Sequence, residues 1–141
     1  MKLLALTLAA IPVVLGTNFD VIVGLMGTFT YTPTEVHPAV DDTVTFRFVA
    51  GNHTATTTTF NNPCPPPAGG VGLNAFDTGF RQPFDNVTIT IRDTSPHWVS
   101  CRQPALGGHC HLGMTMVINP TPDMTEAQFR INAMMSPASG Y

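Results

Sequence analysis

Short runs of alternating apolar and polar residues set the character of this chain. The clearest is Thr43–Val49, Thr-Val-Thr-Phe-Arg-Phe-Val, just after the turn signal Asp41-Asp42. Successive side chains of a strand point to opposite faces. The run therefore predicts a strand with Val44, Phe46 and Phe48 in the core and Thr45 and Arg47 toward water. Asp20–Leu25, Thr28–Thr32, Thr54–Phe60, Asn86–Arg92, Trp98–Cys101 and Thr115–Asn119 also read as strands, set apart by Pro, Gly, Asn and Asp. The stretch 61–83 is rich in proline and glycine and reads as a long ordered loop pinned by a covalent link. Roughly seven or eight short strands with turn signals between them predict an all-β sandwich or barrel.

The pattern changes after Pro120. Thr121-Pro122-Asp123 reads as a helix cap, a first-turn proline and an early acid, opening a helix that runs to about Met135. Phe129, Ala133 and Met134 are the side chains expected to dock it. At the other end, Met1-Lys2 and an apolar run to Gly16 read as a secretory signal segment cut near Gly16. That run is shorter than the ~20 residues of a bilayer span and contains Pro12. The expected organisation is thus a signal peptide over 1–16, a sandwich domain over 17–120 and a helical extension over 121–141. The final residues, Met-Met-Ser-Pro-Ala-Ser-Gly-Tyr, lack the hydrophobic tail of an anchor signal.

Charge narrows the partners. The formal net charge is −3, and Lys2 is the sole lysine. Without the signal segment, five arginines face nine carboxylates, a balance of −4. No basic patch is present to bind nucleic acid or anionic lipid. Two sequons, Asn52-His53-Thr54 and Asn86-Val87-Thr88, mark candidate glycosylation sites at Asn52 and Asn86. With the signal segment they point to an extracellular, oxidising setting, in which a cysteine pair forms a disulfide.

The chemistry concentrates in Cys101-Arg-Gln-Pro-Ala-Leu-Gly-Gly-His109-Cys110-His111-Leu-Gly-Met114. This stretch puts a thiol, an imidazole and a thioether on one loop between two strands. His53 lies upstream, just past the strongest strand. Two His, one Cys and a weak axial Met form the ligand set of a blue-copper electron-transfer site. Thiolate and thioether favour Cu(I), and imidazole accommodates both oxidation states. A rigid sandwich holding such a set changes little when an electron arrives. The three cysteines allow three pairings: Cys64–Cys110, Cys64–Cys101 or Cys101–Cys110. The first leaves Cys101 as a lone thiolate for a metal, and spacing does not choose among them.

The order Cys101…His109-Cys110-x-x-Gly113-Met114 resembles the C-terminal ligand loop of phytocyanins and of fungal extracellular cupredoxin-like proteins. Gly51-Asn52-His53-Thr54 resembles the fungal family's first-ligand segment, and Asn62-Pro63-Cys64 its disulfide-partner segment. Phe29–Pro33, Asp42–Phe46 and Val117–Pro120 match its strand pattern, so the resemblance covers about 18–120. It implies a cupredoxin-like Greek-key β-sandwich and one type 1 copper ion held by His53, Cys101, His109 and Met114. It also implies a Cys64–Cys110 disulfide. The departures are a longer spacing between Cys101 and His109, seven residues here, and the extra His111, a potential competitor.

Other residues receive ordinary expectations. His97 reads as a strand-end surface residue, His37 as a turn residue, and Trp98 as core packing under the site. Arg81, Arg92 and Arg102 read as solvated, and Asp77 and Asp85 form no acid/base pair. The His109 edge is expected to face solvent as the electron's exit. No phosphate-binding or hydrolase motif is present. The reading is a secreted, monomeric one-electron carrier rather than an oxidase, serving an unidentified redox protein or small-molecule donor. The alternatives are a cell-surface glycoprotein that binds copper without redox turnover, and a structural sandwich with a vacant site.

Overall fold

A computed structural model describes residues 15–137. The expected signal segment therefore lies almost wholly outside the described residues. Two four-stranded sheets pack face to face. The first contains β1 (Asn18–Val23), β2 (Tyr31–Thr32), β4 (Thr43–Phe48) and β6 (Asn86–Thr90), in the order β2-β1-β4-β6. The second contains β3 (Glu35–Val36), β5 (Thr56–Thr58), β7 (His97–Ser100) and β8 (Thr115–Ile118), in the order β3-β8-β7-β5. The β1–β4 and β3–β8 pairs are parallel and the others antiparallel.

Alternation explains the core. Val44, Phe46 and Phe48 of β4 are buried and lie in register with Phe19, Val21 and Val23 of β1. Arg47 points outward and pairs with Asp20 at 3.0 Å. Thr45 departs from the expected solvent position. On this central strand it is covered by its neighbours and hydrogen-bonds to Asn18 and Thr88 at 2.8 Å each. The run expected over Thr28–Thr32 yields a strand only at Tyr31–Thr32. Thr28 is instead tied back to the Leu25 carbonyl, which closes a loop.

The helix α1 (Glu126–Met135) starts four residues later than a cap at Thr121 predicts. Thr121 and Met124 close a small paired turn. Thr125 then takes the extended cap conformation, and its hydroxyl accepts from the Gln128 N–H at 3.2 Å. Thr125-Glu-Ala-Gln128 has the spacing of a capping box, a signal visible in the sequence. Phe129 and Ala133 are buried as expected, whereas Met134 is exposed. Trp98 also departs from expectation. Along β7, Val99 points into the sandwich and Trp98 points out, where it packs on Phe60 (4.7 Å) and Phe129 (5.0 Å). Trp98 thus anchors the helix rather than flooring the site.

The long loop over 61–83 is fastened by backbone pairing with His53 and Thr57 and, near Cys101, by two side-chain links. Cys64 is disulfide-bonded to Cys110, which leaves Cys101 as the free, buried thiol. Asp77 is the second of these links: it accepts from Thr56 Oγ1 and the Gly69 and Gly79 N–H groups, and pairs with Arg102 at 2.9 Å. Burial pushes its carboxyl up, but those hydrogen bonds and the guanidinium outweigh this and hold it below the usual carboxylate value. Arg102 is therefore not simply solvated, and its guanidinium also lies over Phe80 at 4.9 Å. Arg81, too, is engaged, donating from Nε to the Thr78 carbonyl at 2.7 Å.

Two outcomes follow from this packing. Phe129→Ala should lower unfolding stability by about 3–5 kcal/mol in chemical denaturation; a loss below about 1 kcal/mol would contradict helix docking as described. Asp77→Asn should cost roughly 2–3 kcal/mol at neutral pH, less than a fully buried pair because Arg102 keeps some solvent contact. Because the folded carboxyl lies below its unfolded value of 3.8, its contribution is present above that pH and is lost as pH falls further. The stability gap between wild type and Asp77→Asn should close on acidification, and a gap independent of pH would contradict the assignment.

Candidate metal centre

His53 stands just past β4, and its backbone pairs with Arg81, N–H to carbonyl, at 3.3 and 2.9 Å. Two glycines make room for its ring. A Cβ on Gly51 would lie 2.5 Å from His53 Nε2, and one on Gly24 would lie 3.1 Å from it. Both glycines have φ near +77°, a conformation that side chains disfavour. Cys101 directly follows β7, with its N–H donating to the Met114 carbonyl at 3.3 Å. His109 follows a short 3₁₀ turn at Ala105–Gly107, and its N–H donates to the Gln103 carbonyl at 2.9 Å.

These elements bring His53 Nδ1, His109 Nδ1 and Cys101 Sγ together. The two nitrogens are 3.1 Å apart, and the sulfur lies 3.9 Å from His53 Nδ1 and 3.8 Å from His109 Nδ1. All three residues are buried, and they form the one group among the described residues whose His, Cys, Asp or Glu atoms are gathered closely enough to hold an ion. The point in their plane equidistant from the three atoms lies about 2.1 Å from each, within about 0.2 Å of metal–imidazole and metal–thiolate bond lengths. Burial and the neighbouring His109 push the His53 pKa down to about 4, and burial lowers that of His109. Both imidazoles are therefore neutral at ordinary pH. Burial pushes the Cys101 thiol up, opposed by N–H donors from Thr54 (3.4 Å) and Gln103 (3.5 Å). A metal cation favours the thiolate against that burial. The donor set, softness and spacing fit a mononuclear type 1 copper ion.

Thr54, read from the sequence only as part of a sequon, a ligand segment and a strand, is a hub of this centre. Its N–H reaches the Cys101 sulfur, and its hydroxyl accepts from the Arg102 N–H at 2.9 Å. Its carbonyl accepts from the buried Tyr31 hydroxyl at 2.5 Å. Met114 is fully buried, and its N–H donates to the His109 carbonyl at 3.0 Å. His111 lies outside the cluster, with Nε2 3.3 Å from the Pro137 carbonyl. His97 is buried near Asp93 (3.5 Å) rather than at the surface, while His37 is exposed beside Glu35. Little of His109 reaches solvent: the residue is 4 % exposed, and the Phe29 ring stacks on one face of it.

No family model matches the chain. A curated protein of Arthroderma benhamiae named "Probable GPI-anchored cupredoxin-1" is 31% identical over 101 residues, 72% of this chain. The chain spans 50% of that relative's length. Among solved structures, native pseudoazurin from Hyphomicrobium denitrificans superposes with a TM-score of 0.52 at 20% identity, covering 72% of this chain and 73% of that one. A Cu-containing nitrite reductase from Thermus scotoductus SA-01 gives 0.51 at 16% identity, covering 82% of this chain and 24% of the enzyme. The two-sheet topology and the superposable structures give this chain a cupredoxin-like fold, and the His-Cys-His cluster and the curated relative agree with it.

Proposed function

We propose that this protein is a cupredoxin and a one-electron carrier, working outside the cell or at its surface with a single type 1 copper ion. The observation that carries the reading is the buried triangle of His53 Nδ1, His109 Nδ1 and Cys101 Sγ. Copper bound there supplies the Cu(II)/Cu(I) couple, one electron at a time. The protein's own groups do the rest. His53 and His109 would offer neutral nitrogens, Cys101 would offer the thiolate, and Met114 would supply a thioether as a fourth donor. Burial keeps water off the donors, and the sheets hold them in place, so the ligand set need not rearrange on electron transfer. One mononuclear site moves one electron, which favours a carrier over an oxidase. The relative named as a probable GPI-anchored cupredoxin supports the cell-surface setting. Asn86, exposed on the edge strand β6, suits a glycan, whereas half-buried Asn52 adjoins the ligand His53.

Cu(II)-loaded protein should show an intense thiolate-to-copper absorption band and narrow copper hyperfine splitting by electron paramagnetic resonance. Cys101→Ser should abolish the band, and a retained band would refute the assignment. A Met114→Leu variant should still bind copper but at a raised reduction potential, as voltammetry can measure; an unchanged potential would remove Met114 from the donor set. Reversible reduction separates a carrier from a protein that merely sequesters copper.

A further inference from the structure

Seven residues separate Cys101 from His109, and they include Gly107 and Gly108, both at positive φ. Such a segment does not orient a side chain by itself. The His109 backbone is held by the Gln103 carbonyl, by the Leu112 and Met114 N–H groups that donate to its own carbonyl and, one residue on, by the Cys64–Cys110 disulfide. None of these is a contact to the imidazole ring. The Phe29 ring stacks on it instead, with centroids 4.0 Å apart and planes at 24°. The same ring meets His53 edge-on at 6.1 Å.

The loop carrying Phe29 is built to be stiff. Gly24 N–H donates to the Thr30 carbonyl at 3.0 Å, closing its two ends together. Both residues flanking Phe29 are tied: the Thr28 hydroxyl donates to the Leu25 carbonyl at 2.6 Å and lies 2.7 Å from the Thr30 hydroxyl. At the loop's base, Gly24 lies against His53. A single closed loop thus touches both imidazoles of the cluster, with backbone on one and an aromatic face on the other.

We propose that Phe29 is a positioning residue for His109. It clamps the imidazole in the orientation that presents Nδ1 to the cluster and replaces the rigidity that the long glycine-containing loop lacks. The inference rests on the copper reading above. It assigns Phe29 no contact with the metal.

The test compares wild type, Phe29→Leu and Phe29→Tyr, the first substitution keeping an apolar side chain without a stack and the second restoring the stack. In metal-free protein, proton magnetic resonance should show the His109 ring protons shifted upfield in wild type and Phe29→Tyr, and downfield of these in Phe29→Leu. In Cu(I)-loaded protein, Phe29→Leu should release copper to bicinchoninate about 2- to 10-fold faster than wild type, the range expected for losing one aromatic pair, with Phe29→Tyr close to wild type. Retained ring shifts and an unchanged release rate in Phe29→Leu, with the intense copper band present, would overturn the clamp alone. A wild-type protein without that band would overturn the copper reading and the clamp together, even if the ring shifts persist.

Discussion

Two imidazoles and a thiol meet in the interior of this protein, and much of the surrounding structure holds them there. Burial strips water from all three, which lowers the pKa of both histidines and raises that of the cysteine. Without a cation, His53 Nδ1 and His109 Nδ1 meet each other at 3.1 Å, and the Cys101 sulfur accepts from the Thr54 and Gln103 N–H groups. With one, the same desolvation strengthens binding and excludes competing water. The cost of gathering the donors is met by the sandwich, whose apolar faces bury Val21, Val23, Val44, Phe46 and Phe48 regardless of any metal.

Each donor is held by a different part of the fold. His53 is fixed by backbone pairing with Arg81 and by two glycines that leave space for its ring. Cys101 continues β7 and is bridged to the His53 side through Thr54. The His109 loop is fastened by the disulfide to the proline-rich segment, and that segment is fastened in turn by Asp77 to Arg102, the residue after Cys101. The restraints form a closed circuit around the donors. Loosening one element therefore reaches the metal centre through its neighbours.

Much of this was legible in the sequence because it depends on local pattern. Period-two alternation exposed β4 and β6, and the residue types around Cys101, His109 and Cys110 exposed the cluster. What escaped depends on contacts between segments distant in the chain. The outward-facing Trp98 and Val117 look like any buried strand residues until a helix is laid over them. Arg102 and Asp77 are 25 positions apart, so neither announces the other. Phe29 reads as an ordinary strand aromatic, and only the fold carries it onto His109. The helix start was recoverable, since Thr125 and Gln128 carry the capping spacing, but Pro122 drew the expected boundary to the earlier threonine.

The central claim is that one copper ion is held by two imidazoles and the Cys101 thiolate in a frame that does not rearrange with oxidation state. X-ray absorption at the copper edge, recorded on oxidised and reduced protein, tests it most directly. The account predicts one short sulfur neighbour and two imidazole nitrogens in both states, with only small changes in distance. A copper ion without a short sulfur neighbour, or one that loses an imidazole on reduction, would contradict it.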